Sequence, residues 1–581
     1  ATSCICLIFF PLLILFKGQM AEFLYFFPFT FTINMMMSLI LAVVVIPILE
    51  VALIKPKKID VNNPERKTIT EKVHDVYVKL LDWNFRNPWL TASAGAISIV
   101  AAVALMPLIK FRMNPVADRN QFAVEIYLPD GTPLAKTVTI ADSMRTILSE
   151  DSRVKSITQF NGMSSPRFHI AYAPKMPSDS YAQFIVNTGS FKETEAVLDE
   201  YTDKYAHYFP QAYIKFKQID FQHVPSFEFR FYGENSEELK KAADLLSARM
   251  REMPELTNVH TDWGNMLPVM DIELKPVASS QLGVTRAVTA ANILLATDKF
   301  NIGTITENNK NTPIVLKTDE ATGKPSLENF ADTYIATVIP SVSVPLRQVA
   351  DITPKWEENT IMHRNGMRTI TVTADTKRNV IPAKPLKHIQ EIIENEIVPS
   401  LPESVKYQVG GEPEYNRDNL LPVIWAILAA FAVIFFFFLF TYGKFKLTFI
   451  SLFTLMLFLF GAVFGLWVSN LTVGITSALG IIGLFGLTVR NVILMFQHAE
   501  ERFLKDGWPA KEAAYDAGKR RMIPIFLTSA AASVGVIPMI ISGSSFWAPV
   551  GVIIFAGGVF LLLMTITILP VLYWKLNEKK K

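Results

Sequence analysis

Half of the 581 residues are hydrophobic and only 19% are charged, and the charges gather outside a few long apolar runs, as a bilayer demands. The chain therefore reads as an integral membrane protein with a large soluble part. Its net charge of +3 is too small to argue for a nucleic-acid partner, and membrane topology explains its basic residues better.

In chain order, apolar length predicts eight membrane segments, at 1–16, 30–53, 89–109, 420–441, 447–468, 471–497, 523–542 and 546–574. The first is too short to span with margin. It also lacks a charged leading region and an A-x-A cleavage site, so it reads as a truncated span rather than a signal peptide, with Ala1 a cut point in a longer protein. Both cysteines, Cys4 and Cys6, lie in this run and point in different directions on a helix, leaving the soluble part without a disulfide. A polar stretch from Asn114 to Asn419 separates the third segment from the fourth. The pattern is two helices, then one, then a domain, then five.

Orientation follows the lysine and arginine bias. Lys55, Lys57, Lys58, Arg66 and Lys67, then Lys444 and Lys446, then Lys519, Arg520 and Arg521, and the tail Lys579 to Lys581 mark the cytoplasmic side. The alternate connections, Ser469 to Asn470 and Ser542 to Ser545, carry no basic residue, and by parity the large domain shares their periplasmic or extracellular side. Around Val73 to Phe85, apolar Val76, Val78, Leu80, Leu81, Trp83 and Phe85 alternate with Lys72, Asp75, Lys79 and Asp82. This periodicity fits a helix flat on the inner membrane face or a solvated linker helix.

The polar stretch alternates strand and helix. Strands are expected at Phe122 to Leu128, Val154 to Phe160 and Phe168 to Tyr172, with a helix near Leu134 to Ser149. A second cycle places strands at Tyr213 to Ile219, Phe227 to Tyr232, Asn258 to Asp262 and Val269 to Leu274, and a helix at Ser236 to Met253. The pattern is interrupted near Lys275 to Pro354, with a polar turn at Asn308 to Asn311, and resumes at Thr369 to Thr373, Lys387 to Ile397 and Val405 to Val409. Split β-α-β layers with an inserted subdomain account for this order.

One charge stands out. Arg490 lies inside the apolar run from Leu471 to Phe496, where a permanent charge costs roughly 2.5 to 3.5 kcal/mol even on the lenient insertion scale. Such a residue faces a polar interior and a counter-charge, or snorkels to the interface two turns away near His498.

The span order and several local strings resemble the second half of the resistance-nodulation-division (RND) exporters, the family of AcrB. The strings are Pro11-Leu12 with the Thr32 to Pro47 span, Glu125-Ile126-Tyr127-Leu128-Pro129, and Ile272-Glu273-Leu274 followed by Leu282-Gly283-Val284. The more specific ones are Gly483-Leu484 with Gly486-Leu487-Thr488-Val489-Arg490-Asn491, and Arg521-Met522-Ile523-Pro524-Ile525 with Thr528-Ser529. The likeness covers essentially the whole chain, beginning at the family's fifth transmembrane helix. It implies an α-helical polytopic bundle of eight spans, the first truncated, with a large α+β periplasmic domain of split β-α-β porter subdomains and an inserted docking subdomain. The implied division is 1–54 for the end of the first repeat, 55–87 for a cytoplasmic linker with an interfacial helix, and 88–112 for the helix opening the second repeat. It continues with 113–222 for the first porter subdomain, 223–275 and 355–418 for the second, 276–354 for the docking subdomain, and 419–581 for a five-helix bundle with its tail.

The resemblance also implies a homotrimer driven by inward proton flow, without a cofactor, that works with a periplasmic adaptor and an outer-membrane channel. A proton-driven pump needs an acid that alternates between charged and neutral and a fixed cation that makes its ionised form tolerable. Arg490 fits the fixed cation, because a guanidinium cannot itself give up the proton. Multidrug members have lysine at this place, so the arginine is a departure that would hold a carboxylate in a bidentate fork. Asn491, Arg521 and Thr528 are assigned to the same relay by resemblance. The family's paired aspartates precede Ala1, and Glu50, the acid within an apolar run, reads as interfacial.

Plainer readings stand beside these. Arg521 in Lys519-Arg520-Arg521 also fits positive-inside topology, and Thr528 and Ser529 fit small-residue helix packing. Met35 to Met37 read as packing, and the eight histidines show no metal-ligand spacing.

The family's drug cleft lies beside a switch loop whose counterpart here is Phe160-Asn161-Gly162-Met163-Ser164-Ser165-Pro166-Arg167, shorter and without the loop phenylalanines. Phe160, Gly162, Met163, Ile170 and Tyr172 are the cleft candidates, although Ile170 and Tyr172 on one strand face also suit a core. The expected function is export of amphiphilic compounds such as drugs, dyes and detergents from a Gram-negative inner membrane or periplasm. Alternatives are lipid or metal export, against which the lack of a Met or His relay in the spans counts for metal, and a non-pumping scaffold. No nucleophile-base-orienter set or phosphate-binding loop supports an enzyme.

Overall fold

The computed structural model describes residues 2–16, 21–22, 24–53, 69–114, 117–169, 172–219, 224–317, 329–378 and 380–578. The basic residues Lys55, Lys57, Lys58, Arg66 and Lys67, the tail Lys579 to Lys581, and Ile170 and His223 lie outside them. The chain divides into two compact units, one of residues 1–128, 132–261 and 364–581, the other of 129–131 and 262–363.

In the larger unit, seven helices among the described residues are long and apolar enough to cross a membrane. They are Phe26–Leu53, Pro88–Leu108, Glu412–Tyr442, Phe445–Val468, Ile475–Lys505, Ala510–Ile541 and Ala548–Asn577. The first predicted segment instead forms two short helices, Thr2–Ile8 and Pro11–Leu15, parted where Pro11 interrupts the amide ladder. The Ile475–Glu500 helix is the hub of the bundle, buried along most of its length. Small residues permit the close approach of its neighbours. A Cβ on Gly461 would lie 2.6 Å from the Ala556 carbonyl oxygen of the π-helical turn Ile553–Gly557.

The amphipathic stretch forms one helix, Ile69–Arg86. Tyr77, Leu81 and Phe85, spaced at i and i+4, are buried against one end of the helix bundle. There the Tyr77 hydroxyl donates to the Ile566 carbonyl at 2.9 Å, and Phe85 stacks on Trp574 at 5.4 Å. A second apolar stripe, Val73, Val76, Leu80 and Trp83, is left exposed.

The outer part of this unit has two α/β lobes. In the first, antiparallel strands run in the order Val154–Asn161, Tyr181–Thr188, Gln121–Tyr127 and Tyr213–Gln218, with helices Leu134–Ser149 and Phe191–Tyr205. The strand expected at Phe168 to Tyr172 does not form over its described residues. Its place beside Gln121–Tyr127 is taken by Tyr181–Thr188, whose Gln183 and Asn187 interrupt the apolar run and hide it from a pattern reading. In the second lobe, Leu256–Thr261, Met367–Thr376, Phe227–Gly233 and Lys406–Gly410 pair antiparallel, covered by Ser236–Arg251.

The smaller unit pairs Met266–Leu274 with Ala350–Glu358 around a core of Val284, Ile335, Leu346 and Val349. Its hairpin, Lys299–Glu307 with Lys310–Lys317, turns at Asn308 and Asn309, both in the left-handed region where asparagine is tolerated. The interruption read at Lys275 to Pro354 falls within this unit.

Strand Lys406–Gly410 runs directly into the membrane helix Glu412–Tyr442 through Gly411, at φ +73°. A Cβ there would lie 2.9 Å from the Pro225 carbonyl oxygen. Gly411→Ala is therefore expected to cost about 1–2 kcal/mol or more, read as a lowered thermal midpoint of the purified protein. An unchanged midpoint would show that the backbone there relaxes freely.

Candidate functional site

The membrane candidates lie on two neighbouring helices. Arg490 follows Ile475 by fifteen residues, about 22 Å along the helix axis, placing it well inside the span. It is exposed on the surface of the bundle and has no hydrogen bond or ion pair among the described residues. The adjoining Asn491 is fully buried and donates through Nδ2 to the Ser529 hydroxyl at 3.1 Å, while its Oδ1 has no partner among the described residues. Interhelical bonds of this type in lipid contribute on the order of 1 kcal/mol.

Thr528 is turned to its own helix, donating to the Ile525 carbonyl at 3.1 Å. Arg521 is half-buried, with Nη2 3.5 Å from His498 Nδ1 and an Nε that has no hydrogen-bond partner among the described residues. Asn491 and Ser529 are thus brought together. Among the described residues no hydrogen bond or ion pair joins Arg490, Arg521 and Thr528 to one another. Sequence reading overlooked what lies beyond Arg521, where His498 Nε2 approaches Asp516 Oδ2 at 3.2 Å and Arg502 and Arg520 donate to the same carboxylate.

A second cluster lies where the two lobes meet. Phe160, Gln183, Glu125 and Lys215 form one row across the first sheet, because each is the register partner of the next. Glu125 is 3% exposed. Tyr127 donates to it at 2.6 Å and Tyr172 at 3.3 Å, Gln183 donates to the Tyr172 hydroxyl, and Lys175 donates to Tyr127. From the second lobe, Asp375 accepts from Lys215 Nζ at 2.6 Å and from Asn258 Nδ2 at 3.0 Å. Lys217 lies over the Tyr172 ring at 5.3 Å.

Burial alone would raise the Glu125 carboxyl, but the ammonium groups of Lys215, Lys175 and Lys217 and the Tyr127 hydrogen bond hold it below the usual range. For Asp375 burial acts the same way and is outweighed by Lys215 and Asn258, which bring it down to about 2. About a fifth of the Lys215 and Asp375 side chains still meets solvent, so the pair lies at the edge of the contact between the lobes rather than in a sealed core.

Of the cleft candidates, Phe160 and Tyr172 belong to this cluster. Gly162 makes the turn after the strand at φ +71°, and Met163 is half exposed beyond it. Ile170 lies outside the described residues. Sequence reading missed Glu125, Lys215 and Asp375, although one signal was present: Glu125 interrupts Phe122-Ala123-Val124 and Ile126 in an otherwise apolar strand.

The family model described as AcrB/AcrD/AcrF matches residues 1–577. The chain belongs to this family. Its members are membrane transporters rather than enzymes, and the likeness to the RND exporters holds at family level. The swarming motility protein SwrC of Bacillus subtilis (strain 168) is 22% identical over 585 residues, covering 99% of this chain and 54% of SwrC. Protein HelA of Legionella pneumophila is 21% identical over 534 residues, covering 87% of this chain and 49% of HelA. The chain spans about half the length of the curated relatives it matches. Two crystal forms of a heavy metal efflux pump share its fold. One gives a TM-score of 0.77 at 19% identity, over 100% of this chain and 58% of the pump, and the other 0.78 at 18%, over 100% and 57%.

Proposed function

We propose that this chain forms the C-terminal portion of a proton-coupled RND exporter of amphiphilic compounds, acting as a homotrimer in a Gram-negative inner membrane with its lobes in the periplasm. A periplasmic adaptor and an outer-membrane channel complete the path, and the proton gradient is the energy source. The observation that carries this reading is Arg490, a permanent cation deep in a membrane span and unpaired among the described residues, beside the Asn491 to Ser529 bond. A carboxylate contributed from outside the described residues is the partner its position calls for.

The charged and aromatic cluster where the lobes meet supports the substrate class. Lys175, Lys215 and Lys217 outnumber Glu125 and Asp375, and Tyr127, Tyr172, Tyr181 and Tyr213 supply apolar faces with polar edges. An amphiphile with an acidic head group suits this surface. Metal export is the second reading, favoured by the fold shared with the heavy metal efflux pump, but three ammonium groups oppose a bare cation at this cluster.

The test is accumulation in an exporter-deficient host expressing the full-length protein. Cells should exclude the acidic fluorescent amphiphile dansyl-undecanoate better than the empty host, with no gain in copper or zinc tolerance. Metal tolerance without dansyl exclusion would replace this reading by the second, and neither phenotype would favour a scaffold.

A further inference from the structure

Arg521 is the inner end of the relay residues, and the structure continues beyond it. Nη2 of Arg521 faces Nδ1 of His498 at 3.5 Å, and Nε2 of the same ring faces Asp516 Oδ2 at 3.2 Å. Arginine offers only donors and an ionised aspartate only acceptors, so the neutral ring must carry its proton on Nε2 and present a lone pair at Nδ1. His498 and Asp516 are both largely enclosed, at 11% and 15% side-chain exposure. The helix leaves its regular α geometry one turn later, in the π-helical segment Glu501–Lys505, a departure common at functional positions.

We propose that His498 carries the transported proton from the relay to the cytoplasm, with Arg521 as the gate over its Nδ1; this rests on the proton-coupled reading given above. In the arrangement seen, Arg521 covers Nδ1, and a guanidinium has no proton to give, so the path is shut. Its hold is weak. The contact is at the outer limit of a hydrogen bond and Nε has no partner, so a carboxylate elsewhere in the relay can draw the side chain away.

With Nδ1 uncovered, a proton from a hydronium in the membrane path forms an N–H bond there while the Nε2–H bond breaks toward Asp516 Oδ2. One proton enters and one leaves, and the ring ends in the other neutral tautomer. Arg502 donates to Asp516 at 3.2 Å and Arg520 at 2.9 Å, and both hold it as a carboxylate, so the proton passes on to cytoplasmic water. The ring is reset when its Nδ1 proton passes forward through a water molecule, which takes the proton from Nδ1 while giving one to Nε2; Arg521 then returns, and each cycle has carried one proton from the hydronium to the cytoplasm.

The other charged groups nearby are already engaged. Glu500 accepts from Lys444 and from Tyr573, the latter at 2.8 Å, and Arg502 also pairs with Asp506 at 2.6 Å. His498 is therefore the group that joins Arg521 to the carboxylate at the mouth.

The experiment uses the full-length protein in proteoliposomes enclosing a pH-sensitive dye, with proton flux triggered by dansyl-undecanoate. His498→Gln keeps polar contacts to both neighbours but cannot relay, and its flux is expected to fall roughly a hundredfold, the lower end of what a positioned proton-transfer group supplies. His498→Ala should fall equally and recover in part with added imidazole, a rescue that a purely structural histidine would not show. Equal flux in wild type and His498→Gln overturns the inference while leaving the exporter reading intact, whereas no flux in wild type overturns the exporter reading itself. A second readout needs no substrate. The ¹⁵N spectrum of His498, identified by its loss in His498→Gln, should show the Nε2–H tautomer alone in wild type and a mixture in Arg521→Leu. A mixture in wild type would overturn the gate.

Discussion

Replacing Arg490 with alanine is expected to leave the exporter folded and assembled but unable to retain its advantage over the empty host in dansyl-undecanoate exclusion. The side chain is exposed on the bundle and makes no hydrogen bond or ion pair among the described residues, so its removal breaks no visible packing. A permanent charge in lipid costs about 2.5 to 3.5 kcal/mol even by the lenient scale, so deleting it should stabilise the bundle unless a counter-charge faces it. The two consequences separate the readings. A relay cation gives lost transport with an unchanged or lowered thermal midpoint, the latter because a partner carboxylate is left unpaired. A snorkelling cation gives normal transport, and that outcome would sink the relay assignment. Arg490→Lys keeps the charge but not the fork, and should recover most of the transport if charge alone is needed.

Lys215→Met is expected to destabilise the outer lobes by about 3 kcal/mol near neutral pH, because it leaves two enclosed carboxylates, Glu125 and Asp375, without their shared cation. The pH dependence gives the sign. Both carboxylates are held below their unfolded values, so the stability they contribute is complete above roughly pH 4. It is lost as pH falls through the Asp375 value of about 2. The gap between wild type and Lys215→Met should therefore be widest near neutrality and close as the carboxylates protonate. Thermal unfolding of the purified full-length protein across that range measures it. A gap that stays constant with pH would mean that the lysine acts by packing and not by charge, and Lys215→Arg should restore most of the loss in either case.

What the sequence disclosed follows from the range of the physics. Membrane segments declare themselves because about twenty consecutive apolar residues have no other common use, and Arg490 is conspicuous for the same reason. Strand Tyr181–Thr188 escaped because Gln183 and Asn187 are polar, and both their value to the fold and their partners depend on neighbours far along the chain. The cluster between the lobes was illegible for a stronger reason: Lys215 and Asp375 stand 160 residues apart and meet through the pairing of two lobes, which no local pattern encodes. The His498 to Asp516 contact is nearer, 18 residues apart, but it depends on how two helices face each other across their connection.

The direct passage from strand Lys406–Gly410 into the helix Glu412–Tyr442 has a mechanical meaning. Arg230 in the adjoining strand pairs with Glu414 at 2.6 Å, fastening the head of the helix to the second lobe. A helix of 31 residues is about 46 Å long, so a tilt of roughly 5° about Gly411 moves its far end by about 4 Å. Nothing flexible of any length intervenes. A change of posture in the lobe would be delivered to the far end of the helix as a lever stroke, and the lever works equally well in reverse.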